Sequence, residues 1–158
     1  MNTDLMFSSK TDNWATPQYF FDALDAEFNF NLDVCASNTN HKCDLFYTQE
    51  MNGLAWPWLG RVWMNPPYGR EIGQWVKKAR EEVKAGRAEL VACLVPARTD
   101  ARWFQDNAWS ADEIRFVRGR IAFGDSKTGA PFPCAVIIFR RDCDGPPIMT
   151  FYEVKKAA

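Results

Sequence analysis

The sequence predicts an α/β domain with a mostly parallel central sheet, helices on both faces and a late antiparallel strand. Three observations carry this. Segments with helical spacing alternate with short apolar segments of strand length. The run Leu90 to Val95 is continuously apolar, as a parallel strand buried on both faces requires. The last apolar segments are joined by short connections, which favour antiparallel pairing. With 158 residues, 47% hydrophobic and 25% charged, the chain reads as one globular domain over 1–158, with 1–13 as a flexible arm.

The elements follow in order. Thr16-Pro17 reads as a helix start, with Thr16 as N-cap and Pro17 at the first helical position. Phe20, Phe21, Leu24 and Phe28 then recur at helical spacing. Phe30 to Val34 is a short strand, Asp44 to Tyr47 a weaker one, and Arg61 to Met64 a third, stopped by Asn65-Pro66-Pro67. The clearest helix places Ile72, Trp75, Val76, Ala79 and Val83 on one face and ends at Gly86. After the buried run, Thr99 can cap a second helix reaching Trp109. Glu113 to Val117, Arg120 to Phe123, Ala135 to Phe139 and Thr150 to Val154 read as strands, and Asp125 to Pro133 as an exposed loop.

Charge is unevenly spread. Residues 1–58 carry 2 basic and 8 acidic side chains, whereas 98–141 carry 8 and 5. That asymmetry suits a chain that holds a cation at one end and a polyanion at the other, or is simply a solvated surface. Five cysteines at irregular spacing make a disulfide framework improbable. Cys35, His41 and Cys43 lie close together but lack a Cys-x-x-Cys pair and a second histidine, so no metal is expected. Cys93 and Cys134 sit in apolar runs and read as core. No apolar run approaches the ~20 residues of a membrane span, and no secretory signal opens the chain. The expectation is a cytoplasmic protein with no membrane partner.

The strongest chemical signal is Val62-Trp63-Met64-Asn65-Pro66-Pro67-Tyr68, an apolar strand ending in a rigid turn and an aromatic. Two prolines remove two backbone donors, so the turn presents carbonyl oxygens, to which Asn65 adds its side-chain carbonyl. Fixed acceptors suit an amine with two hydrogens, and Tyr68 offers a flat face beside them. The lone pair of an exocyclic amine on a planar ring is delocalised into the ring. Hydrogen bonds from both hydrogens favour a pyramidal nitrogen and direct its lone pair toward an electrophile. The same tetrapeptide can also be a plain strand-ending turn.

Here the chain resembles a family. Trp14-Ala15-Thr16-Pro17, Leu32 to Ala36, Asn52-Gly53-Leu54 with Trp56 or Trp58, Asn65 to Tyr68, Pro96 to Asp100, and Arg118 to Ile121 with Phe123 fall in the order of the small phage-type DNA N6-adenine methyltransferases (Dam-like). The likeness covers residues 14 to about 139. It implies a Rossmann-like methyltransferase fold, S-adenosylmethionine as cofactor, DNA as partner and base flipping into the Asn65–Tyr68 pocket, with a phage or prophage setting in a bacterial host. It implies catalytic roles for Asn65, Pro66, Pro67 and Tyr68: Asn65 and Pro66 would accept from adenine N6, and Tyr68 would stack on the extruded base. It places Trp14, Thr16 and Pro17 near the methionine part of the cofactor, Asp33 at the acidic cofactor motif, Cys35 and Ala36 in the adjoining loop, and Asn52 near the cofactor's adenine.

The chain departs from the larger enzymes of this type in having no glycine from Asp33 to Asn40. Nor is there room for a separate target-recognition domain, so DNA contacts are expected from Arg70, Arg98, Arg102, Arg118, Arg120 and Lys127. The seven tryptophans read as core and cofactor-pocket walls. Two other readings stay open: the same chemistry on cytosine N4, RNA guanine or protein glutamine, and a non-catalytic nucleic-acid-binding domain.

Overall fold

The structure, a computed structural model, describes residues 14–141 and 145–156. The predicted arm, 1–13, lies outside them. In chain order the elements are α1 (Gln18–Phe28), β1 (Leu32–Ala36), β2 (Leu45–Thr48), a 3-10 turn (Gly53–Ala55), β3 (Gly60–Met64), α2 (Ile72–Lys84), β4 (Ala88–Pro96), α3 (Arg102–Ala108), β5 (Glu113–Val117), β6 (Cys134–Arg140) and β7 (Ile148–Tyr152). The strands form one seven-stranded sheet in the order β2-β1-β3-β4-β6-β5-β7. Only β6 runs against its neighbours, pairing antiparallel with both β4 and β5. The predicted α/β class, with one late antiparallel strand, is what forms.

Register assigns the two faces. Asp33, Trp63 and Ala92 lie level across β1, β3 and β4, and Val136, Arg115 and Thr150 continue the same face across β6, β5 and β7. Helix α1 covers this face: Phe21 meets Trp63 edge-on at 5.3 Å, and Phe20 meets Tyr152 at 6.0 Å. Its apolar stripe, Phe20, Phe21, Leu24 and Phe28, is buried as its spacing predicts. Arg115 is buried on the same face, where its guanidinium donates to both oxygens of Glu27 at 2.7 and 2.6 Å and lies over the Phe28 ring. Helices α2 and α3 cover the opposite face. Trp75 of α2 stacks on Trp58, and Gly73 lets α2 approach Trp103 of α3 so closely that an added Cβ would lie 2.9 Å from its Cβ.

Three local expectations are corrected. Thr16 does not cap α1. Pro17 stands before the helix with ψ 139°, and its carbonyl takes the amides of Phe20 and Phe21 while no side chain caps the end. Thr99 does not cap α3, which starts later, at Arg102; its carbonyl instead accepts from the Gln105 side chain. Residues 120–123 are not a strand. Gly119, at φ +77°, turns the chain after β5, and β7 occupies the free edge of β5 by parallel pairing from Glu113–Ile148 to Val117–Tyr152. With β5 flanked by β6 and β7, the residues that follow it do not pair, and Ile121 and Phe123 drop into the core as irregular chain, 3% exposed each.

β1 has β2 on one side and β3 on the other. The connection from β1 to β2 and that from β3 to β4 therefore leave in opposite directions, which makes the carboxyl ends of β1 and β3 the topological switch point, where open α/β sheets bind their ligands. The β1–β2 link, residues 37–44, is short for a parallel crossover. The buried Asp33 carboxylate holds it, accepting the Cys35 and Lys42 amides on its two oxygens at 3.2 and 2.9 Å.

Candidate active site

The carboxyl ends of β1 to β5 lie on one edge of the sheet, and the 124–133 loop enters the reversed β6 from that edge. Segments separated by up to a hundred residues are thus brought together. Asp33 is level with Trp63, so the carboxyl end of β1, with Cys35 and Ala36, lies on the same side of the sheet as the end of β3, which Asn65 follows.

Asn65 follows the last residue of β3. Its Nδ2 donates to the Trp14 carbonyl at 2.6 Å and to Thr16 Oγ1 at 2.9 Å. A carbonyl can only accept, so the contact with Trp14 settles which end of the amide is nitrogen. Both amide hydrogens are spent on residues 14–16. The other end, Oδ1, is buried and has no partner among the described residues. An unpaired buried acceptor costs about 1–3 kcal/mol, an outlay that a ligand donor at that atom would remove.

Tyr68 is 8% exposed, and its hydroxyl donates to the Leu94 carbonyl at 3.0 Å. Burial pushes its phenol well above the ordinary range, so it stays protonated. Trp14 stacks on it with ring centroids 6.2 Å apart, and Phe123 and Phe132 meet it edge-on at 5.9 and 5.6 Å. The face expected to stand open for a base is therefore covered by Trp14, because adjacent aromatic rings bury one another's apolar surface. The covering segment is pinned on its far side too: the Gly124 amide donates to the Ala15 carbonyl at 2.9 Å.

The predicted cofactor residues divide. Trp14 and Thr16 converge on Asn65, as described, with Pro17 entering α1 beside them. Asp33 is 3% exposed, and burial raises its pKa despite the two amides it accepts. It fastens the loop after β1 and has no oxygen facing open solvent. Cys35 and Ala36 are half-buried at the strand end, and burial pushes the Cys35 thiol up. Asn52 is exposed at φ 58° and uses Oδ1 to cap the 3-10 turn through the Leu54 amide. His41 bonds the Cys43 carbonyl and stacks on Phe46 at 4.0 Å; among the described residues no cluster of potential metal ligands forms. Cys134 is core, its thiol pushed up to about 12 by burial.

Arg70, Arg98, Arg102, Arg118, Arg120 and Lys127 are all exposed on segments at this edge. Arg118 lies 3.8 Å from Glu153, and Arg120 donates to the Ala130 carbonyl at 3.3 Å. The other four form no ion pair with a described residue. Sequence reasoning did not single out Phe132, whose signal is a lone aromatic between two prolines in an otherwise polar loop. It also passed over Glu82, 3% exposed, which accepts the Trp58 amide and bonds Lys78 and Arg87.

The model of the family described as DNA N-6-adenine-methyltransferase (Dam) matches residues 4–158. The DNA N-6-adenine-methyltransferase of Haemophilus phage HP1 (strain HP1c1) is 34% identical over 125 residues, covering 77% of this chain and 71% of that protein. The DNA N-6-adenine-methyltransferase of Escherichia phage T1 is 33% identical over 137 residues, covering 75% of this chain and 56% of that protein. A crystal structure from Pyrococcus horikoshii, described as a candidate RNA methyltransferase, aligns at TM-score 0.43 and 16% identity over 62% of this chain and 51% of that one.

Proposed function

This chain belongs to the DNA N-6-adenine-methyltransferase (Dam) family, and we propose that it transfers the methyl group of S-adenosylmethionine to N6 of adenine in DNA, with the base turned out of the helix into the pocket at Asn65. The observation that carries the reading is the orphaned Asn65 Oδ1, a buried acceptor held in a fixed direction at the β1–β3 switch point.

The target amine offers two hydrogens. One goes to Asn65 Oδ1, and the second goes to the Pro66 carbonyl, whose turn Pro66 and Pro67 make rigid. Bonded to both, the nitrogen loses conjugation with its ring, and its lone pair turns toward the methyl donor. No side chain has to remove a proton first: N6 becomes positively charged as it gains the methyl group and the methyl–sulfur bond breaks, and its extra proton then passes to water. When bound, S-adenosylmethionine supplies an electrophilic methyl group on a sulfonium sulfur.

The residues present fit that group. Cys35, Ala36 and Ser37 are small, so the strand end beside Asn65 can receive a ligand without a glycine. Cys35 and Ala36 would lie against the methionine part. Asn52, which uses only Oδ1 within the described fold, would offer its amide hydrogens to the adenine. Asp33 contributes by fixing the loop that carries these residues.

Adenine N6 is paired and stacked in a duplex, so the base must be extruded. To reach the Tyr68 ring it displaces the Trp14 side chain, exchanging one aromatic contact for another. Stacking of about 1–3 kcal/mol and phosphate contacts from the arginines at this edge offset the rest.

The test is to incubate the protein with unmethylated genomic DNA and isotopically labelled S-adenosylmethionine, then resolve the product by base. Label in N6-methyladenine supports the reading. Label in N4-methylcytosine, label only in RNA or in protein glutamine, or none at all, overturns it.

A further inference from the structure

We propose that Thr16 is a positioning residue for the reaction: its hydroxyl, with the Trp14 carbonyl, sets the direction of Asn65 Oδ1. The inference rests on the reading of Asn65 as the acceptor for the target amine, and it removes Thr16 from the cofactor contacts.

An asparagine side chain has two torsions to settle before its oxygen can point at a substrate, and the second is intrinsically broad. In this site both amide hydrogens are used to settle them. The Trp14 carbonyl, 2.6 Å from Nδ2, rejects the flipped amide, because two carbonyl oxygens would then face each other. One hydrogen bond still leaves the amide plane free to swing about that contact. The bond from the second hydrogen to Thr16 Oγ1, at 2.9 Å, removes that freedom. Thr16 is 5% exposed, so water does not compete for the bond.

The two acceptors come from a segment whose backbone is itself fixed: the Ala15 carbonyl takes the Gly124 amide, and Pro17 leads into α1. Thr16 stands one residue before Pro17, which occupies the N-cap position; no side chain caps α1, and the Thr16 oxygen faces Asn65, 49 residues away in sequence.

The experiment compares single-turnover methyl transfer at saturating S-adenosylmethionine for the wild type and for Thr16→Val, Thr16→Ser, Thr16→Ala, Asn65→Ala and Thr16→Val/Asn65→Ala. S-adenosylhomocysteine affinity is measured for each. Thr16→Val keeps the shape and removes the acceptor; the rate is expected to fall about tenfold, the equivalent of one neutral hydrogen bond. Thr16→Ser restores it to within about threefold of wild type, and S-adenosylhomocysteine affinity stays within about twofold throughout. Because Thr16 acts through Asn65, the double variant is no slower than Asn65→Ala alone. If Thr16→Val fails to fold, the pair Thr16→Ser and Thr16→Ala, which differ by the one oxygen, makes the same comparison.

Wild-type turnover without the hydroxyl overturns the proposal. So does a fall in cofactor affinity with an unchanged rate at saturation, which would return Thr16 to the cofactor. An equal slowing in the Asn65→Ala background also overturns it, since that is what a merely structural residue gives. If Asn65→Ala itself turns over normally, the underlying reading of Asn65 has failed. If Asn65→Ala is slow while Thr16→Val is not, only the inference about Thr16 has failed.

Discussion

Asn65 shows how far a residue's neighbours decide its chemistry. An amide fits between two acceptors on one side and an incoming amine on the other; a carboxylate does not. In Asn65→Asp an oxygen would face the Trp14 carbonyl at close range with no hydrogen between them. That repulsion favours the protonated acid, whose O–H can donate to Trp14. The pKa of the new carboxyl therefore rises, and turnover of Asn65→Asp, low at neutral pH, is expected to increase as pH falls toward that value. A pH–rate profile with wild-type turnover at pH 7 would contradict this. The tetrapeptide was legible because its chemistry is local: two prolines, an acceptor and an aromatic in sequence. The contact between Thr16 and Asn65 was not, since a capping pattern is read from adjacent residues and a partner 49 positions away leaves no local trace. For the same reason the amides that the Asp33 oxygens accept within their own loop left no sign in the sequence.

At the scale of elements, helical periodicity was legible because one face of α1 and one of α2 repeat their buried residues at fixed spacing. The 120–123 segment misled because Arg120 to Phe123 alternates like a strand, yet β5, which it follows, is already flanked by β6 and β7. Close approach between elements also escapes periodicity. At Gly53 an added Cβ would lie 2.5 Å from the Val34 carbonyl oxygen and 3.2 Å from the Trp75 ring. Gly53→Ala must push the 3-10 turn off β1 and α2, and is expected to cost about 1–3 kcal/mol in denaturant unfolding. No change in midpoint would show that the contact is slack. Glu82 ties α2 to the chain entering β3 through Trp58, Lys78 and Arg87. Burial alone would raise its pKa, but hydrogen bonds from Arg87, Lys78 and the Trp58 amide bring it down to about 2. Because the folded value lies below the unfolded one, its stabilisation is present above the unfolded pKa of ~4.3 and is lost as pH falls toward 2. Glu82→Gln should lower the melting temperature at pH 7 and flatten its decline between pH 5 and 2 (about the window set by those two values). Parallel acid limbs for variant and wild type would exclude Glu82 as the source.

Across the whole molecule, the sheet topology places arginines at both ends of the strands: Arg70, Arg98 and Arg102 stand at the carboxyl edge with the Asn65–Tyr68 turn, whereas Arg61, at the start of β3, lies at the opposite edge and pairs with Glu89 at 3.3 Å. Among the described residues no helix is long and apolar enough to cross a membrane. If DNA lies across the carboxyl edge, Arg98→Ala and Arg102→Ala should each weaken binding and reduce the log–log salt slope by about one phosphate contact, roughly 0.9. Arg118→Ala should do less, because Glu153 already shares that charge. Arg61→Ala should leave the slope unchanged. A slope that shifts for Arg61 and not for Arg98 would put DNA on the other edge. The asymmetry of charge along the chain hinted at this division. Its spatial meaning came only from the strand order, which brings the arginines after β3, β4 and β5 to one side.

If Asn65 Oδ1 accepts the amine of an extruded adenine, removing it must slow the chemistry and spare the cofactor. Single-turnover methyl transfer to unmethylated DNA, with base-resolved detection, compares the wild type with Asn65→Ala at saturating S-adenosylmethionine. The expected outcome is N6-methyladenine as the wild-type product and a rate about 10²–10³ lower for the variant, with unchanged affinity for S-adenosylhomocysteine. A variant that methylates adenine as fast as the wild type, or a wild type whose methyl group appears on another base, would contradict it.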